Sequence, residues 1–132
     1  MSISYIFSKY ELSILMSKLN INVKKFPYIC KPITNDEILE DTMKSLYDKN
    51  FIIVNNDSFY IDKVINFIIT QLGNSNRCFK INDYCRIYRC KNIMLSTENY
   101  RYNPNIVKVT PLKDVNMVNE YFNINLKEGD LL

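Results

Sequence analysis

Apolar residues recur at helical spacing three times before residue 74 and at alternating spacing after it. Ser8 and Glu11 stand in capping-box spacing around the start of an apolar stripe formed by Tyr10, Leu12, Ile14, Leu15 and Leu19. This predicts a helix from about Lys9 to Leu19 that stops near Asn20. Residues 21–33 carry Pro27 and Pro32 and read as an extended connector. Thr34 and Glu37 repeat the capping-box spacing, and Ile38, Leu39, Met43, Leu46 and Tyr47 carry a second helix to Lys49-Asn50. The β-rich runs Phe51–Val54 and Phe59–Ile61 flank the polar turn Asn55-Asn56-Asp57-Ser58, which is a hairpin pattern. Asp62 is placed to cap a third helix whose face is Val64, Ile65, Ile68, Ile69 and Leu72, with Gly73-Asn74 as its stop signal.

Beyond Gly73 the period falls to about two. Arg77–Ile81, Tyr84–Cys90, Ile93–Thr97 and Ile106–Thr110 read as strands, separated by Asn82-Asp83, Lys91-Asn92 and the longer stretch Glu98–Asn105. Two-residue breaks favour antiparallel neighbours, so the segment reads as a β-meander. A closing helix is expected over about Asp114–Phe122, with Val115, Val118, Tyr121 and Phe122 inward and a frayed tail after Asn125. The fold class is therefore α+β. A single domain over 1–132 is expected, with helix–helix–hairpin–helix over 5–73 and a meander with closing helix over 77–123. Ile106–Thr110 is the expected edge strand, and an exposed edge is a route to a homodimer, although Lys108, Pro104 and Pro111 are residues that protect edges.

Composition narrows the chemistry. The chain has 132 residues, 47% hydrophobic and 23% charged, with a formal net charge of +3, a globular and only weakly basic balance. Histidine is absent, which removes the commonest general base and the commonest metal ligand. Only Gly73 and Gly129 are glycines, too few for a phosphate-cradling loop. Cys30, Cys78, Cys85 and Cys90 include no Cys-x-x-Cys pair, so the expectation is reduced, mostly buried thiols and no metal. No apolar run reaches membrane-spanning length and no secretory pattern opens the chain. These features point to a cytoplasmic non-enzyme without cofactors. Heavy use of Asn, Ile, Lys and Tyr matches an AT-rich coding sequence, which discounts tyrosine and lysine abundance as a sign of nucleic-acid binding.

Two contact surfaces remain open. Helix, helix, hairpin is the order of a winged-helix unit, whose second helix and wing can meet DNA through cations such as Lys44 and Lys49. That helix holds Asp36, Glu37, Glu40, Asp41 and Asp48 against Lys44 and Lys49, a net charge of −3, and a phosphate backbone repels such a surface. The second surface is the strand Tyr84–Cys90. Alternation puts Tyr84, Arg86 and Tyr88 on one face and Arg89 on the other, inside a stretch 77–101 that is locally basic. Tyrosine and arginine are enriched in protein interfaces, and the same residues also suit the solvated face of a half-covered sheet. Protein binding through Tyr84, Arg86, Tyr88 and Arg89 is the first reading, and a winged-helix DNA-binding regulator is the alternative.

The order of elements is similar to one known family. Tyr10-Glu11-Leu12 begins a helix, a second ends Leu46-Tyr47-Asp48-Lys49-Asn50, and Phe51-Ile52-Ile53-Val54, a polar turn and Tyr60-Ile61-Asp62 follow. A long apolar helix, a meander and Val109-Thr110-Pro111-Leu112 before a short helix complete the order. This arrangement resembles the EspG-type chaperones of type VII secretion and their shorter relatives in low-GC Gram-positive bacteria, over about residues 5–123. The full chaperones are about twice as long and pseudo-symmetric, with a matching second half, so the resemblance departs in size. The resemblance implies a chaperone or adaptor that binds a helical secretion substrate without catalysis.

Overall fold

The computed structural model describes residues 3–131 of the chain. It is mixed α+β and divides into two compact units, one of Phe7–Gly73 and one joining the residues up to Ile6 to those after Gly73.

In the first unit, α1 (Lys9–Lys18) opens with the expected capping box. Glu11 N donates to Ser8 Oγ at 3.0 Å, and Ser8 N donates to Glu11 Oε1 at 2.7 Å. Leu12, Leu15 and Met16 are buried, while Tyr10, Ile14 and Leu19 are half-buried. The connector is not simply extended: a 3₁₀ turn covers Val23–Lys25, capped by Asn22. The second helix, α2 (Asp36–Asp48), is capped one residue later than expected, by Asn35 Oδ1 accepting from Ile38 N at 2.9 Å. Asn caps at least as well as Thr, and Asp36 and Glu37 then fall in the first turn, where the helix dipole favours them. Leu46 and Thr42 are the buried positions of α2, whereas Leu39 and Tyr47 are exposed.

The hairpin pairs β2 (Ile52–Asn55) with β3 (Ser58–Ile61). Its turn is tighter than the four-residue expectation: Asn55 pairs with Ser58, and Asn56 takes a left-handed conformation with φ 58°. Then α3 (Lys63–Gly73) starts from Asp62, whose Oδ2 accepts from Val64 N and Ile65 N. Ile65, Ile68, Ile69 and Leu72 are buried, and Val64 is exposed. Gly73 does not adopt the left-handed stop expected of it; no glycine has a positive φ. Space explains this glycine instead, because a Cβ there would lie 2.5 Å from Ile21 Cδ1. Asparagine does the terminating elsewhere. Asn20, Asn50 and Asn123 are all left-handed just past helix ends, and Ile21 N, Phe51 N and Ile124 N close back onto Met16, Leu46 and Asn119 carbonyls.

The second unit holds the strands β4 (Arg77–Lys80), β5 (Cys85–Arg89), β6 (Met94–Asn99) and β7 (Ile106–Leu112), and with β1 (Tyr5–Ser8), which begins in this unit and runs into the other, they form a five-stranded sheet ordered β1-β7-β6-β5-β4. The meander from β4 to β7 is antiparallel throughout. The strand β1 is too short to show a period in sequence, and it lies beside β7. The Ile106–Thr110 strand is therefore interior rather than an edge, and β1 and β4 are the edges. On one face Ile87, Met94 and Leu112 form a core with Val115 and Val118 of α4 (Val115–Phe122), and Phe79, Tyr121 and Phe122 pack against it. The other face is not the open surface expected of a half-covered sheet: Tyr88, Leu95, Thr97, Val107 and Val109 are buried. Burying each large apolar side chain is worth roughly 1.5–3 kcal/mol, which is why neither face of the central strands stays wet. The tail is held rather than frayed at Leu126, whose N and O both bond to the Asn119 side chain at 2.8 Å.

Candidate functional site

The residues expected to form a contact surface on the sheet do not come together. Tyr88 is 4% exposed, and a side chain that deep cannot meet a partner without a rearrangement. Arg86 shares its face, pairing opposite Thr97, and is half-buried. Arg89 is half-buried on the opposite face, across from Met94. Tyr84 alone of the four is exposed, with the Arg101 guanidinium 5.9 Å from its ring centroid. The cations of the DNA alternative are ion-paired: Lys44 Nζ is 3.7 Å from Asp48 Oδ2, and Lys49 Nζ is 2.7 Å from Glu11 Oε1.

A concavity in the helix–hairpin unit is lined by none of the contact residues expected from sequence. It is a groove of about 550 Å³ lined by Ile14, Ser17 and Lys18 of α1, Val23, Pro32-Ile33 and Phe59 of β3. Ser13 shapes it. Its Oγ donates to the Lys31 carbonyl at 2.7 Å and accepts from Lys31 N at 3.1 Å, holding the proline-rich connector against α1. An adjoining hollow of about 350 Å³ shares Ser13, Val23 and Pro32 and adds Lys24, Pro27 and Cys30. At the lip the Lys18 ammonium stands 4.7 Å over the Phe59 ring. The apolar residues Ile53, Val54 and Tyr60 of the hairpin and Val64 and Phe67 of α3 are exposed in the same unit. The signal available in sequence is the run from Leu12 to Asn35, which holds Lys18, Lys24, Lys25 and Lys31 and no carboxylate.

Three of the thiols, Cys30, Cys85 and Cys90, are held in the protonated form. Burial pushes the Cys30 thiol up to about 12, against smaller opposing effects of Ser13 and Lys9, and burial alone does the same to Cys90. Cys85 is raised by burial and then by the Glu98 charge. All four cysteines are free; against the expectation of mostly buried thiols, only Cys90 is buried, Cys30 and Cys85 are half-buried and Cys78 is exposed. Among the described residues no group of three or more Cys, Asp or Glu is placed to hold a metal ion. A second polar cluster ties α4 to the sheet. Tyr121 OH donates to Glu98 Oε2 at 2.8 Å, and Lys108 Nζ lies 3.3 Å from the same oxygen. The Tyr121 hydroxyl, ahead of the Glu98 charge, holds the Lys108 ammonium above its ordinary pKa.

Among the described residues no helix is long and apolar enough to cross a membrane. Comparison with protein-family models, with curated proteins and with solved structures finds no match to this chain.

Proposed function

We propose that the chain is a non-catalytic protein-binding module, of chaperone or adaptor type, that receives an apolar segment of a partner in the groove between α1, the Pro32-Ile33 connector and Phe59. The groove carries this reading: it is an open, mostly apolar concavity, the form that ligand and peptide sites take. The exposed apolar side chains on the hairpin and α3 support it, since such residues gather where partners dock. The resemblance to EspG-type chaperones makes secretion substrates the first partners to try.

A library of short displayed peptides panned against the full chain tests the reading. Recovery of peptides by the natural chain, and their loss when Ser17→Trp fills the groove from an exposed helical position, is expected. Recovery of none, or equal retention by Ser17→Trp, would sink it.

A further inference from the structure

We infer that the segment bound in this groove is acidic as well as apolar, an inference that rests on the groove being the binding site. The reason is an uneven distribution of charge within one unit. From Leu12 to Asn35 the chain carries four lysines and no carboxylate, while the carboxylates of the unit's middle gather on α2. Lys18 lines the groove and Lys24 the adjoining hollow. Lys25 adjoins Lys24 and Lys31 lies further along the connector; neither is a lining residue, and all four lysines are exposed.

Among the described residues the salt bridges engage Lys44, Lys49, Lys80 and Lys108, and none of Lys18, Lys24, Lys25 and Lys31. Two of them instead rest on aromatic faces: Lys18 on Phe59, and Lys31 on Tyr10 at 5.4 Å. A ring leaves most of an ammonium's hydrogen-bonding capacity unused, so a carboxylate can bind without displacing an existing ion pair. The apolar floor also sharpens the field, because low-dielectric walls concentrate the potential of the charges around them. Apolar anchors on the floor and carboxylates at the lip are therefore the complementary pattern. Four lysines would equally attract a phosphate chain, but a polynucleotide offers nothing aliphatic to cover Ile14, Val23 and Ile33. A protein segment satisfies both halves of the site.

The peptides recovered by the natural chain supply the test. Their sequences are expected to be enriched in Asp and Glu beside aliphatic or aromatic residues. Affinity, read by fluorescence anisotropy, is expected to fall about tenfold or more in Lys18→Glu/Lys24→Glu, the equivalent of about 1.4 kcal/mol. It should also weaken as salt rises, and be unchanged in Lys44→Glu, whose site is exposed on α2. Peptides lost in Ser17→Trp but poor in acids and indifferent to charge reversal would overturn this inference while leaving groove binding intact. Two further results would overturn it. One is tight single-stranded DNA binding at physiological salt that disappears in Lys18→Glu/Lys24→Glu. The other is self-association by sedimentation that disappears in the same variant, since exposed Leu39 and Tyr47 among the acids of α2 offer a second copy the same chemistry.

Discussion

Lys49 at the end of α2 reaches Glu11 in the first turn of α1, Nζ to Oε1 at 2.7 Å, and the two partners are unequally buried. The Glu11 side chain is 1% exposed and that of Lys49 is 34% exposed. Glu11 also accepts from Ser8 N at 2.7 Å and from Ser45 Oγ at 3.0 Å. One carboxylate thus completes a helix cap and joins two helices.

The inequality predicts an asymmetry between the two single variants. Lys49→Met leaves a buried carboxylate without its cation and should cost about 3 kcal/mol or more. Glu11→Gln leaves an ammonium that can turn to water and retains an acceptor for Ser8 N and Ser45, so it should cost about 1 kcal/mol. In Glu11→Gln/Lys49→Met much of the larger loss should return. Urea unfolding of the three variants checks this, and equal single costs would contradict the burial argument.

Gly73 is required by Ile21 rather than by its backbone angles. A Cβ would sit 2.5 Å from Ile21 Cδ1 and 2.7 Å from Cγ1. Gly73→Ala should therefore destabilise by about 1–3 kcal/mol, against the usual gain from replacing a helical glycine. In an Ile21→Val background, which removes the nearest atom, the alanine should cost measurably less. Strict additivity in the double-mutant cycle would show that the clash is not the cause.

The desolvated thiols of Cys30 and Cys90 make stability fall on the alkaline side. Cys30 is held at about 12 in the native state against an ordinary 9.0, and Cys90 likewise. Between those pH values the unfolded chain releases thiol protons that the native chain keeps, so the native state binds more protons. The stabilisation is whole below pH 9 and drains as pH rises toward 12. Lys108, also raised, acts with the same sign. Thermal melts across this range should show a shallower alkaline loss in Cys30→Ala/Cys90→Ala than in the natural chain. Near neutral pH, iodoacetamide should modify exposed Cys78 well before Cys30 or Cys90, as read by mass spectrometry.

Tyr121 secures α4 through its hydroxyl. The bond to Glu98 Oε2 is charge-assisted and half-buried, so Tyr121→Phe should cost about 1–2 kcal/mol. Amide exchange should speed up across Val115–Phe122 more than across β5 and β6. Uniform acceleration through the sheet would mean that the hydroxyl holds something other than the helix.

What the sequence by itself determined is local. The change of period at Gly73, the hairpin around Asn56-Asp57, the four meander strands and the caps at Ser8 and Asp62 are legible because each depends on residues within a few positions. Even the asparagine helix stops follow this logic: in a chain with two glycines, Asn is the residue left that tolerates a left-handed conformation. Tertiary structure decided which of these surfaces are available. Tyr88 is a core residue rather than a contact because its side chain is buried, and whether Ile106–Thr110 is an edge and whether Lys49 is ion-paired depend on residues far away in the chain, the strand at Tyr5–Ser8 and Glu11. The groove belongs to the same category. Its walls come from α1, the connector and β3, and Ser13 ties the first two together through Lys31. Periodicity reports which side of an element is apolar, but a concavity exists only where separate elements stop short of filling the space between them.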